Sequence, residues 1–147
     1  MYSKFGQFID GKWQVSANKE TYDVINPATE ELIGKASKAS SVDVDKALKS
    51  AQKGFLVWRN TTPWDRAKII RKISDVIRKK DLELAKWMTL ETGKPLSEGL
   101  AEVSASADIF EWNAEETKRI YGQTQQSRFP DTRVHVYYQP VGVVAAL

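Results

Sequence analysis

Few residues in this chain have side chains suited to chemistry, and their spacing does not gather them. Glu115 and Glu116 form an adjacent carboxylate pair. Neighbours on a helix diverge by about 100°, so these two read as solvated charges and not as a general acid and base working on one bond. His135 is the single histidine, and one imidazole cannot assemble a zinc cluster. The 147 residues include no cysteine, which excludes disulfides, thiolate metal sites and the most reactive nucleophile. No serine stands beside a base and a third orienting group. Neither Gly-x-Gly-x-x-Gly nor P-loop spacing occurs to cradle a phosphate.

Charge points to no polymer partner. Twenty-two basic residues against 19 acidic leave a net +3, too little for a nucleic-acid binder. The richest basic stretch, Arg66, Lys68, Arg71, Lys72, Arg78, Lys79 and Lys80, is interleaved with Ile69, Ile70, Ile73, Val76 and Ile77 at helical spacing. It reads as the outer face of an amphipathic helix. At 41% hydrophobic and 28% charged residues, the composition is that of a globular protein, with one domain as the length prior. The opening Met1-Tyr2-Ser3-Lys4 leads into no apolar stretch, so the expectation is neither signal peptide nor membrane span, and a cytoplasmic location. Asn60-Thr61-Thr62 matches a glycosylation acceptor, a chance match in that setting.

The elements that must position these side chains are well punctuated. Asp10-Gly11 between Gln7-Phe8-Ile9 and Lys12-Trp13 predicts a two-residue hairpin. A second hairpin should join Tyr22–Ile25 to Leu32–Lys35 through Asn26-Pro27-Ala28-Thr29. Four helices follow. Ser41 is the expected cap of the first, whose Val44, Ala47, Leu48, Ala51 and Phe55 recur every three or four residues. Thr62-Pro63-Trp64-Asp65 starts the second, with a capping hydroxyl, a proline at the first helical position and a carboxylate at the positive end of the dipole. Asp81 is the expected cap of the third, which Gly93 stops. The fourth should run from Pro95 to Tyr121, with a seam of Leu96, Leu100, Val103, Ala107, Phe110, Ala114, Thr117 and Tyr121, and end at Gly122.

After a polar stretch, Gln123 to Asp131, the period changes to two. Val134, Val136 and Tyr138 alternate with Arg133, His135, Tyr137 and Gln139, the pattern of a half-buried strand with His135 on its polar face and no obvious partner. Beyond Pro140, the apolar run Val141–Leu147 reads as a strand covered on both faces, as in parallel sheets. Such a strand normally passes into the loop where open α/β sheets keep their chemistry. The chain is therefore expected to be the front part of a longer enzyme, cut before its working loop. The expected fold class is α/β: N-terminal hairpins and a four-helix segment leading into a doubly wound, Rossmann-like parallel sheet that is incomplete here.

Four strings in register, Phe8-Ile9-Asp10-Gly11-Lys12-Trp13, Asn26-Pro27-Ala28-Thr29-Glu30, Glu91-Thr92-Gly93-Lys94-Pro95 and Gln139-Pro140-Val141-Gly142-Val143-Val144, together resemble the N-terminal portion of the NAD(P)-dependent aldehyde dehydrogenase superfamily. Trp112-Asn113-Ala114-Glu115-Glu116 and Lys118-Arg119-Ile120-Tyr121-Gly122 look most like its succinate-semialdehyde branch. The resemblance covers about the first third of a typical subunit. It implies that residues 1–131 are the hairpin and helical part of the cofactor-binding domain, 132–139 a strand of the oligomerisation arm, and 140–147 the first strand of the nucleotide-binding sheet.

It further implies that the oxyanion asparagine, cofactor turn, ribose-binding lysine, glutamate base and cysteine nucleophile lie outside this sequence. NAD or NADP would then serve the intact enzyme, which would act on a small aldehyde as a homo-oligomer, a dimer or tetramer. The 147 residues alone would bind no cofactor and be inactive. The same resemblance gives Ile25, through its carbonyl, and Glu91 a monovalent cation to hold, and places Ser106 and Phe110 along the substrate passage. Core packing competes for Phe110, and a plain exposed acid competes for Glu91. Two other readings stay open: a freestanding helical interaction module, and an aldehyde dehydrogenase of another substrate class.

Overall fold

The computed structural model describes residues 6–146. The opening segment Met1–Phe5 and Leu147 lie outside the described residues. The elements are three antiparallel hairpins and four helices, two hairpins before the helices and one after. The first hairpin pairs β1 (Gln7–Ile9) with β2 (Lys12–Gln14), and its turn residues Asp10 and Gly11 take the positive φ of 55° and 74° that the Asp-Gly pair predicts. The second pairs β3 (Thr21–Ile25) with β4 (Leu32–Ser37) and shifts register between Val24 and Ile25. In its turn the Asn26 side chain accepts from Ala28 N at 2.9 Å, the local bond expected of asparagine before proline.

Helix α1 (Ser41–Asn60) is capped one residue earlier than expected, by Ser40. The reason is reciprocal: Ser40 has Asp43 three positions on and closes a capping box with it, whereas Ser41 has Val44 there. Helix α2 (Pro63–Lys79) starts on Thr62 as predicted. Helix α3 (Asp81–Thr92) follows with only Lys80 between, so Asp81 is already helical and Lys80 holds the cap position without a side-chain bond. Gly93 ends α3 in the left-handed region.

Helix α4 (Leu96–Glu116) stops short of Tyr121, because the chain must turn back to pair β5 (Gln123–Gln126) with β6 (Arg133–Val136). Gly122 serves that return, since a Cβ there would stand 2.4 Å from the Val136 carbonyl oxygen. The polar stretch thus supplies a strand, and it is the partner that the Val134–Val136 alternation lacked. Polar residues hide a strand from a hydrophobicity pattern when both of its faces meet water, and Gln123–Gln126 are all exposed.

The core is the α2–α3–α4 cluster, and it is built from small residues. Ala67 and Ser74 of α2, Ala85 of α3, and Gly99, Val103, Ala107 and Ala114 of α4 are buried. Ser74 Oγ donates to the Ala107 carbonyl at 2.8 Å, crossing from α2 to α4. The basic side of α2 is not simply an outer face. Arg71 pairs with Glu111 and Glu115, and Arg78 with Asp108 at 2.6 Å and Glu111 at 2.9 Å, all on α4. Glu115 also pairs with Lys118, and Glu116 with Arg119, so each of the two adjacent carboxylates has its own ion-pair partner.

Apolar surface remains largely uncovered. Val44 and Leu48 of α1, and Ile69, Ile73 and Val76 of α2, are exposed. The total accessible surface is 11409 Å². A compact folded monomer of 16.6 kDa exposes roughly 7,600 Å². The expected strand beyond Pro140 is not formed, and neither is a parallel sheet, among the described residues: 141–146 are irregular, with Val141 92% exposed. A strand buried on both faces takes its cover and its hydrogen bonds from neighbouring strands, and no described segment pairs with this run. No described helix is long and apolar enough to cross a membrane.

Candidate functional site

Two of the four sequence-selected residues, Glu91 and Ser106, come together at the end of α3. Gly93, at φ 75°, lies against the second hairpin's turn: a Cβ there would be 3.2 Å from Pro27 Cγ and 4.0 Å from Ala28 Cβ. The Glu91-Thr92-Gly93 corner is therefore packed on the turn that directly follows Ile25. Thr92 Oγ1 donates to the Met88 carbonyl at 2.7 Å and Gly93 N to the Thr89 carbonyl at 2.9 Å, which tightens the last helical turn. That turn carries no basic side chain, so the negative end of the α3 dipole faces the corner together with Glu91.

Beside the corner, α2, α3 and α4 line an open cavity of about 340 Å³. Ile77, Trp87, Met88 and Val103 make it apolar, and Glu91, Thr92 and Ser106 are its polar members. Glu91 and Ser106, distant in sequence, thus share one cavity. Ile25 and Phe110 do not line it. Ile25 sits at the register shift of β3 and is 53% exposed, while Phe110, one turn beyond Ser106 on α4, is 38% exposed. Among the described residues, no group of three or more histidine, aspartate or glutamate side chains could hold a metal ion. His135, expected on a polar face, is exposed, with its Nδ1 3.2 Å from Thr124 Oγ1.

Perturbed carboxylates lie elsewhere and serve structure. Asp43 is buried and accepts from Ser40 N at 3.0 Å, Ser40 Oγ at 2.7 Å and Ala17 N at 3.1 Å. These bonds, those from Ser40 foremost, hold its carboxyl below the usual aspartate range. Asp65 is lowered by the Thr62 hydroxyl and by Lys68. The first ties the loop after β2 to the start of α1, and the second closes the start of α2.

Geometry of this kind can line, position and bind. The sequence profile of the aldehyde dehydrogenase family matches residues 13–147. The chain belongs to the aldehyde dehydrogenase family. It is 40% identical over 140 residues to the glutarate-semialdehyde dehydrogenase of Pseudomonas aeruginosa, covering 95% of this chain and 29% of that protein. It is likewise 40% identical over 139 residues to the NADP(+) succinate-semialdehyde dehydrogenase of Escherichia coli, with 95% and 29% covered. Among solved structures, succinate-semialdehyde dehydrogenase from Burkholderia pseudomallei superposes with a TM-score of 0.88 at 34% identity, over 94% of this chain and 29% of that one. The chain thus spans under a third of the length of these aldehyde dehydrogenases.

Two of the four helix N-termini are closed to the pyrophosphate of a dinucleotide. A pyrophosphate needs open backbone N–H groups at a glycine turn before a helix. Here the starts of α1 and α2 are closed by Ser40 with Asp43 and by Thr62 with Asp65, each placing a carboxylate where phosphate would sit. Sequence reasoning also missed Trp87 and Met88 as cavity walls. The apolar residues of α3, Leu82, Leu84, Ala85, Trp87, Met88 and Leu90, surround the helix and mark no single face.

Proposed function

We propose that these residues are the N-terminal portion of an enzyme that oxidises a small aldehyde bearing a distal carboxylate to the acid with NAD or NADP, with succinate semialdehyde as first choice. The observation carrying this is the 95% coverage at 40% identity by two dehydrogenases whose names share that substrate chemistry, a four- and a five-carbon acid semialdehyde. When bound in the intact enzyme, the dinucleotide supplies the hydride acceptor. The residues present have supporting roles. Ser106 and Phe110 border the substrate passage from α4, the first beside the apolar cavity and the second half-exposed beyond it.

The Glu91 corner and the carbonyl of Ile25 hold a monovalent cation, a role favoured by the α3 dipole and by the docking of Gly93 on the adjoining turn. The hairpin of β5 and β6 serves as the oligomerisation arm of a dimer or tetramer, since an isolated two-stranded ribbon with exposed edges gains stability by adding strands. The site of action is the cytoplasm.

The test is kinetic, on the polypeptide read from the complete coding frame. Succinate semialdehyde should be preferred over an uncharged aldehyde of equal length by more than about tenfold in kcat/KM, equivalent to 1.4 kcal/mol. A reversed preference overturns the substrate class. Absence of any cofactor-dependent aldehyde oxidation by that polypeptide overturns the reading altogether and favours a binding module.

A further inference from the structure

The β1–β2 hairpin faces α1 across a second cavity, of about 380 Å³, far from the α3 corner in the fold. Its walls are basic from both sides. Lys46, Lys49 and Lys53 step by three and four along α1 and share one face, and Lys12 enters from β2. The single acid lining it, Asp10, accepts from Ser50 Oγ at 3.3 Å and so fastens the hairpin turn to the helix. None of the four ammonium groups has a carboxylate within ion-pair distance among the described residues. Asp43, the carboxylate whose charge feels Lys46, is engaged by Ser40 and Ala17. Four cations against one carboxylate leave this cavity a formal +3, as much as the whole chain carries.

The four lysines are exposed, and together they raise the positive potential over one concavity, which favours an anion there. The volume falls in the range of small-molecule sites, about 300 to 1,000 Å³. An extended nucleic acid would need a basic excess continuing beyond the cavity, whereas the rest of the sequence balances 18 basic residues (22 − 4) against 18 acidic (19 − 1). An anionic membrane would need the neighbouring aromatics to insert on the same side. Phe8 and Trp13 pair across the hairpin on the face opposite to Ile9 and Lys12.

We propose that this cavity binds a compact oligophosphate, a ligand carrying two or more linked phosphoryl groups, through Lys12, Lys46, Lys49 and Lys53. Lysine serves such a site as a mobile point charge, so recognition is of charge density and not of any attached base. Binding should weaken steeply as salt screens the ammonium groups.

Calorimetric titration of the 147-residue chain with tripolyphosphate and with ATP, at an ionic strength of about 50 mM, tests this. Both should bind, within about tenfold of each other, a difference of 1.4 kcal/mol. K49E/K53E, and independently K12E on the hairpin, should each weaken tripolyphosphate by about tenfold or more with helix content unchanged by circular dichroism. K72E/K86E makes the same change of charge on α2 and α3 as the α1 pair and should leave affinity within about threefold. Four results overturn the proposal. They are no heat at millimolar tripolyphosphate, equal loss in the K72E/K86E control, binding of ATP without tripolyphosphate, and binding of phosphatidylserine vesicles without tripolyphosphate.

Discussion

Replacing Gly93 by alanine probes the contact that joins the second hairpin to the helical core. The residue sits at φ 75° and ψ 4°, and its N–H closes α3 on the Thr89 carbonyl. An L-residue in that conformation costs about 1 to 2 kcal/mol. The new Cβ would also stand 3.2 Å from Pro27 Cγ, a few tenths of an ångström too close, which adds the lower end of the overpacking range, about 1 kcal/mol. Alanine stiffens the unfolded chain and returns about 0.4 to 1 kcal/mol. The net loss is about 1 to 2.6 kcal/mol, which for a chain of this length lowers the melting temperature by roughly 2 to 10 °C.

Thermal unfolding followed by circular dichroism measures it, and a double-mutant cycle with Pro27→Ala separates the causes. Removing the proline ring should relieve the steric part and not the backbone part, giving a coupling of about 0.5 to 1 kcal/mol. A Gly93→Ala variant as stable as the parent would refute the left-handed cap. Zero coupling with Pro27→Ala would refute the contact between the α3 corner and the hairpin turn, and with it the neighbourhood proposed for the cation.

Asp43, lowered in the folded state, contributes stability that is complete above the ordinary aspartate range and is lost as pH falls through its depressed value; Asp43→Asn should flatten that acid limb, and an unchanged limb in urea titrations at successive pH values would contradict the Ser40–Asp43–Ala17 bonding. Phe110→Ala in the intact enzyme should move KM or substrate preference while lowering stability by less than the 3 to 5 kcal/mol of a buried phenylalanine, because the ring is 38% exposed; the full loss with unchanged kinetics would make it core. The 147 residues alone should show no aldehyde oxidation, having no thiol, and should associate at tens of micromolar in light scattering, given a surface some 3,800 Å² above that of a compact monomer; a monodisperse monomer with cooperative unfolding would count against the exposed faces being interfaces.

Local chemistry was legible in the residues themselves. Asp10-Gly11 dictated a hairpin, Thr62-Pro63 a helix start and Gly93 a helix stop, because each depends on φ preferences and nearest-neighbour hydrogen bonds that three or four residues contain. The family resemblance was readable for the same reason, since turns and caps are strings. What tertiary structure alone decided is who faces whom. Gln123–Gln126 became a strand because Arg133–Val136 pairs with it, and α4 ended at Glu116 because the chain must return for that pairing. Glu91 and Ser106 came to share one cavity, and Lys12 to face Lys46, Lys49 and Lys53, only when helices and hairpin packed. The apolar run after Pro140 shows the limit most plainly: hydrophobicity marks a segment that seeks cover on both faces, but a strand exists only where another backbone offers it hydrogen bonds.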